Sequence, residues 1–275
     1  VRFRVLRGDY AIFEEEYLLE FRGLTGGIYR LTEWIMRLSG TNLLWVICSV
    51  PFLFILYMRL AIDPQYVNEA VTLNWALGIL APVTLFPATS AMFTVARKWV
   101  MGEPDVKIIR TFFKGYKENY KQSLVGGLFY TLLFVVMYVD ITVYMVQFRN
   151  MQLFGILMLI LMILLFVSLF NFFSMVTHYH MKIGGILKNA ILLTLLRPFR
   201  VFSTLLGAIA VIYICCTYMP VLIVIFAGSV IAWFAFFNFY ATFTKMQEQA
   251  KKREEAQNAD QEPEIIELGK EKKEK

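Results

Sequence analysis

The sequence predicts an all-α fold: a polytopic membrane protein with six transmembrane helices and amphipathic helices at one membrane face, built as three repeated hairpin units. Three observations predict it. Of the 275 residues, 58% are hydrophobic and 17% charged, where a soluble domain carries roughly 45–50% and about 25%. The apolar residues fall in runs as long as a bilayer is thick, separated by short charged segments. Once those runs are threaded, 25 of the 27 lysines and arginines lie on one side. A single large soluble core would require neither the runs nor the sidedness.

The opening segment, VRFRVLRGDYAIFEEEYLLE, is polar and mixed. It lacks the basic start, short apolar core and small-residue cleavage site of a secretory signal. The chain starts at Val1 rather than methionine, and residues 1–23 are expected to be a poorly ordered extension or an artefact of the assigned start. The membrane domain is expected over residues 24–243.

In IYRLTEWIMRL, Ile28, Leu31, Ile35 and Leu38 share one helical face while Arg30, Glu33 and Arg37 share the other. Trp34 suits the headgroup level. A span needs about 20 apolar residues, and TNLLWVICSVPFLFILYMRL at 41–60 supplies the first. The second covers 71–94. It ends in FPATSAMFT, where Ala88, Thr89, Ser90 and Ala91 are small enough for helices to approach closely.

GEPD then reads as a turn, with Asp105 placed to cap the helix that follows. From Val106 onward, Ile109, Phe112, Phe113, Tyr116 and Tyr120 recur at helical spacing, with Lys107, Arg110, Lys114, Lys117 and Lys121 on the other face. This predicts an amphipathic helix lying in the membrane interface. Its cations would face anionic headgroups, each worth about 1 kcal/mol near the surface. With Arg97 and Lys98, those five cations are the predicted contacts to the membrane surface or to a partner.

Spans three and four are read at 124–147 and 152–176. A weaker amphipathic helix lies between His178 and Arg200, ending at RPFR, where Pro198 interrupts it. The last apolar block, Phe202 to Tyr240, would be about 58 Å long as one helix, nearly twice the ~30 Å hydrocarbon core. TYMP at 217–220 breaks it into spans five and six, at 202–217 and 220–241. The tail, 244–275, carries eight basic and nine acidic residues without an apolar period. It is expected to form a short helix and then become disordered.

Six cations precede span one, seven lie between spans two and three, four between spans four and five, and eight in the tail. Only Arg59 and Arg149 fall opposite. The excess marks the cytoplasmic side of a plasma membrane, with both termini inside, and such a result requires an even number of spans. The net charge of +6 and pI near 9.1 are accounted for in this way, without nucleic acid as a partner.

A shift of 81 residues brings Asn42 over Ser123 and Thr204, and SLVG at 123–126 over TLLG at 204–207. The basic-side ends of the even spans also rhyme: FPATSAMFT from Phe86, FNFFSMVT from Phe170 and FNFYATFT from Phe237. Each repeat would be one interfacial helix plus one hairpin, the three set around a pseudo-threefold axis.

Charged groups inside the hydrocarbon are suspects for function, and here they are scarce. Asp140 falls near the outer interface, where it either pairs with Arg59 or Arg149 or faces the loop. His178 and His180, two residues apart, project about 200° from each other on a helix, and no nearby acid or cysteine completes a metal set. Cys48, Cys215 and Cys216 sit in apolar runs as packing residues. Asn171 and Asn238, with Thr89 and Ser90, form the predicted polar layer: interhelical hydrogen bonds on one reading, the mouth of a substrate path on the other. No nucleophile–base pair, metal motif or phosphate-cradling glycine loop is legible, so neither an enzyme nor a cofactor is expected.

The motifs LTGGIYRLTEWIMRLSGTNLLWVICSVP (24–51) and LFPATSAMFTVARKWVMGEPDVKIIRTFFKGYKENYKQS (85–123) resemble the YesL-like family of bacterial multi-pass membrane proteins, a domain of unknown function. The resemblance extends over about residues 23–240. It implies a small helical membrane protein of firmicute-type bacteria, whose genes often lie beside carbohydrate ABC transporters and polysaccharide-degrading enzymes. An accessory protein assisting or regulating such a transporter, in contact with its permease subunits, is the function this implies. The second reading is a small-molecule transporter or channel in its own right.

Overall fold

The computed structural model describes the backbone of residues 3–179 and 181–271, and the side chains of residues 26–255 except at positions 149, 180, 198 and 201. Every regular element among the described residues is helical. The α-helices are α1 (Phe3–Ala61), α2 (Val67–Leu80), α3 (Phe86–Val100), α4 (Ile108–Thr142), α5 (Gln152–His178), α6 (Ile183–Leu196), α7 (Pro198–Tyr218) and α8 (Gly228–Glu271). Wider π-helical turns at Ala81–Leu85, Val143–Gln147 and Ile223–Ala227 join α2 to α3, close α4 and open α8.

Five helical runs are long and apolar enough to cross a bilayer: Gly26–Ala61, Val67–Val100, Ile108–Gln147, Gln152–His178 and Ile223–Glu255. They contain predicted spans one to four and all but the first residues of span six. The predicted fifth span forms a shorter apolar helix, Phe202–Tyr218. The chain breaks between it and the sixth at Met219–Pro220, as TYMP requires. The protein is thus a helical membrane protein.

Two of the three expected interfacial helices are not separate elements. Residues 28–38 lie inside α1, which begins at Phe3, and residues 108–121 are the first turns of α4. The physical reason is local: between Tyr120 and Leu124 the chain reads KQS, with neither proline nor glycine to end a helix. Polarity changes along α4 while its backbone runs on. With 35 residues, α4 is about 52 Å long against a ~30 Å hydrocarbon core, an excess about equal to the length of its basic first turns. Asp105 does not cap α4, whose N-cap is Lys107 without a side-chain cap; Asp105 pairs with Arg37 instead. Only the third amphipathic helix, α6, stands alone, with Pro198 starting the next helix.

The expectations for residues 1–23 and for the tail beyond 255 concern side chains outside the described residues. The helix bounds there are those of α1 and α8.

The helices sort into an inner and an outer set. The basic-side halves of the even spans, α3, α5 and α8, pack on one another. They supply most of the core: Phe86, Met92, Phe93, Phe172, Phe173, Ala232 and Phe236 are all buried. Phe173 links the set, with ring centroids 5.4 Å from Phe86 and 5.6 Å from Phe93. Ala88, Ser90 and Ala91 are fully buried on α3, so helices approach there at close range. The odd spans lie outside: α4 rests on α3, α7 on α8 and on the edge of α5, and α1 on α3 and the π-turn below α8. Their outer faces expose Ile47, Phe54, Leu132, Val139, Leu206 and Tyr213, the apolar belt that lipid would cover.

The π-turns need partners, because a widened turn leaves backbone groups unpaired. Asn42, itself fully buried, serves the turn at Ile223–Ala227. Its Nδ2 donates to the Val224 carbonyl at 2.6 Å and to the Ile223 carbonyl at 3.3 Å. Its Oδ1 accepts from the Ser229 N–H at 2.8 Å. At the turn Ala81–Leu85, Pro87 lacks the N–H that would bond the Val83 carbonyl, and the Tyr120 hydroxyl donates to that carbonyl at 3.4 Å.

Candidate functional site

At the basic end of the bundle α5, α6, α7 and α8 enclose a small polar cleft. It is lined by Asn171, Arg197, Arg200, Thr204, Asn238 and Thr242, with Val167, Phe170, Leu193 and Phe239 as its apolar wall. Each polar group is positioned by its own helix. Asn171 Nδ2 donates to Thr194 Oγ1 at 2.8 Å, joining α5 to α6. Asn238 Nδ2 donates to Thr204 Oγ1 at 3.1 Å and Ser203 Oγ at 3.3 Å, joining α8 to α7. Arg200 Nη1 donates to the Asn238 carbonyl at 2.9 Å. The Arg197 side chain has no hydrogen-bond or ion-pair partner among the described residues. The enclosed space is about 10 Å³, room for roughly one water molecule.

The sequence-predicted polar layer is thereby divided. Asn171 and Asn238 come together in this cleft. Thr89 and Ser90 do not join them. Thr89 Oγ1 accepts from Trp45 Nε1 at 3.0 Å and donates to the Leu85 carbonyl at 2.7 Å, while Ser90 Oγ returns to the Pro87 carbonyl at 2.9 Å. Both lie on α3: Thr89 ties it to α1, and Ser90 bonds within α3 itself. Arg197 and Arg200 were legible in RPFR only as cations on the basic side; nothing in the sequence aims them at the two asparagines.

A second feature is the basic face formed by the α3–α4 hairpin. Lys107, Arg110, Lys114, Lys117 and Lys121 are exposed along the projecting end of α4. Lys98 pairs with Glu103 at 2.7 Å and Lys114 approaches Glu118 at 3.8 Å. Arg97 is half-buried, its Nε unpartnered beneath the hairpin. The aromatic face read from the sequence is split: Phe112 is buried against α3, whereas Ile109 and Phe113 are 66% and 49% exposed. The hairpin is anchored at its turn by Arg37, which is largely buried, stacks over Trp34 at 5.6 Å, and bonds both Glu33 and Asp105. Further along α4, Asn119 Nδ2 donates to Thr94 Oγ1 at 3.2 Å and Gln122 Nε2 to the Met181 carbonyl at 3.1 Å. These ties hold the basic rod at a fixed angle to the bundle.

The remaining suspects are placed without chemistry. Arg59 donates to Asn74 Oδ1 at 2.9 Å rather than pairing with Asp140; the Arg149 side chain lies outside the described residues. His178 is ringed by Tyr179, Phe236, Phe239, Tyr240 and Phe243, with centroids 4.8–6.2 Å away, and His180 lies outside the described residues. Among the described residues, no three histidines, cysteines or acids gather as a metal set. Cys48, Cys215 and Cys216 are free thiols.

Comparison with known proteins identifies what carries this architecture. A family model described as "Protein of unknown function, DUF624" matches residues 38–141, from the end of the α1 basic segment to the end of α4. YteU of Bacillus subtilis strain 168, an uncharacterized protein, is 30% identical over 233 residues, covering 84% of this chain and 91% of that one. The chain belongs to the DUF624 family. Two further relatives from the same organism, the uncharacterized proteins YesL and YesV, are 24% and 29% identical. Their alignments cover 87% and 61% of this chain, and 100% and 84% of theirs. No solved structure matches. The DUF624 match takes in Asn42 and the whole basic hairpin, while the arginine–asparagine cleft lies C-terminal to it.

Proposed function

We propose that this DUF624 protein is a non-enzymatic accessory protein of the bacterial plasma membrane. It crosses six times with both termini in the cytoplasm, and it docks a transport system through the basic face of the α3–α4 hairpin. The observation that carries this reading is the continuity of α4. A helix lying on lipid would turn its aromatic face down, whereas here Phe112 is buried in the protein and the cations are exposed. A rigid cationic rod of this kind complements anionic headgroups and an acidic protein surface.

Six spans follow from counting α7 as the fifth; the sidedness of the cations requires an even number. The inner triangle of α3, α5 and α8 supports the three-hairpin reading. So does the placing of α4 on α3 and of α1 on the π-turn of α8, each against the preceding unit, while α7 meets α5 only at its edge. The repeated glycines behave alike. A Cβ on Gly126 would stand 2.1 Å from the Phe172 ring, and one on Gly207 2.3 Å from the Phe234 ring, so each outer helix meets an aromatic of its own hairpin.

The partner is proposed to be the permease of a carbohydrate ABC transporter, on the strength of the family resemblance alone. Photo-crosslinkers placed at Lys107, Arg110 and Lys114 in native membranes should capture permease subunits. Adducts confined to lipid, or to further copies of this chain, would reject the partner. The transporter reading draws on the three-unit symmetry and on the polar cleft, whose space of about 10 Å³ holds a water and no sugar. Flux of a sugar into liposomes containing this protein alone would reverse the preference.

A further inference from the structure

Among the described residues, Arg197 and Arg200 have no counter-charge. The chain contains no aspartate or glutamate between Asp140 and Glu248, and α5, α6 and α7, with the α8 segment that closes the cleft, fall in that interval. Neither arginine takes part in a salt bridge among the described residues. Both are half-buried and turned into the cleft, rather than extended into water as cations on a solvated face would be. Two guanidinium groups lining one partly desolvated cleft repel each other unless an anion lies between them. Arg200 uses one N–H on the Asn238 carbonyl, and Arg197 has its donors free, so the planar forks that match a phosphate are available.

The geometry points to a phosphate-group site at the mouth of this cleft, with Arg197 and Arg200 as its ligands. Asn171 and Asn238, bonded to Thr194 and Thr204, fix the floor. The enclosed space is too small for the anion itself, which therefore sits at the opening. The surroundings indicate where the phosphate comes from. Leu196, Phe199 and Phe202, at the junction of α6 and α7, are 61%, 88% and 59% exposed, a surface suited to acyl chains beside the anion. Basic pockets between membrane helices bind anionic headgroups in this manner, and a lipid phosphodiester meets both demands at once. The site is separate from the α4 rod and does not depend on it.

Full-length protein in a non-ionic detergent, followed by thermal unfolding, tests the assignment. Two probes are titrated: inorganic phosphate, and dioleoylphosphatidylglycerol against a dioleoylphosphatidylcholine control whose phosphate carries its own cation. Phosphatidylglycerol is expected to raise Tm saturably, and Arg197→Gln/Arg200→Gln to weaken its apparent affinity by about tenfold or more. Lys114→Gln/Lys117→Gln, on the exposed rod, is expected to leave the affinity unchanged. Stabilisation by inorganic phosphate alone would assign the same site to a soluble phosphate. An equal response in the arginine double variant and wild type, or no response to either probe, overturns the site. Should the double variant fail to fold, Arg197→Lys keeps the charge and removes the fork, and its affinity must fall if the site is real.

Discussion

The Asn42 side chain accepts a hydrogen bond from the backbone N–H of Ser229 at 2.8 Å, across 187 positions of sequence. The same carboxamide donates to the Val224 carbonyl, so one side chain of α1 completes the ladder where the π-turn of the last span interrupts it. Asn42→Ala would leave a buried N–H and a buried carbonyl unpaired, at about 1–3 kcal/mol for each orphaned group. A Tm lower by roughly 5–10 °C in detergent is the expected outcome. Asn42→Asp should be worse, since a carboxylate accepts from Ser229 but cannot donate to Val224 and brings charge into an apolar site. An unchanged Tm for both variants would show that the carboxamide is dispensable.

Gly228 is the space that this carboxamide occupies. A Cβ there would lie 2.7 Å from Asn42 Oδ1, closer than van der Waals contact allows. Gly228→Ala is therefore expected to destabilise the wild type and to cost less in the Asn42→Ala background. The coupling should be on the order of 1 kcal/mol. Strict additivity in the double-mutant cycle would mean that the glycine is needed for some other reason.

The outer helices meet their hairpin partners through glycine and phenylalanine. At Gly126 a new methyl would collide with the Phe172 ring, which is fully buried and has little room to move. Gly126→Ala should lower stability by about 1–3 kcal/mol, and Phe172→Leu in the same chain should restore part of the loss. Gly207→Ala with Phe234→Leu is expected to follow the same pattern. If the smaller partner rescues neither, the contact is not what limits these positions.

Orientation is tested with thiols. In a chain whose Cys48, Cys215 and Cys216 are replaced by alanine, Gln65→Cys should react with a membrane-impermeant maleimide in intact cells. Lys114→Cys should react only after permeabilisation. The reverse pattern would place the basic rod outside the cell and with it overturn the proposed docking partner.

Much of this architecture could be read from hydropathy. The helices at 41–60, 71–94, 124–147 and 152–176 stand close to where the apolar runs placed them, and Pro220 parts the last block, because length and polarity are what a bilayer selects. Helix continuity was less legible. The change in polarity at Tyr120 to Leu124 suggested a boundary, but polarity does not end a helix; only a breaker or a tertiary clash does. Asn42 drew notice for its repeat register, yet its true role depends on a π-turn 181 positions later, which no local pattern announces. The cleft shows the same limit. Asn171 and Asn238 were singled out as polar groups among phenylalanines, whereas Arg197 and Arg200 had already been explained by sidedness and so raised no question.

Because the inner helices are the second member of each hairpin, the molecule is divisible at the seams between hairpins. Genes encoding residues 1–103 and 104–275 would give two fragments, each inserting with the sidedness its own cations dictate. They would have to find each other through the faces of α3 and through the Asn42 bonds to the last span. Reassembly of such fragments in a cell, read by a split reporter, would make that seam a natural place to add, remove or exchange a module. Evolution from a single duplicated two-helix ancestor would have required that same freedom.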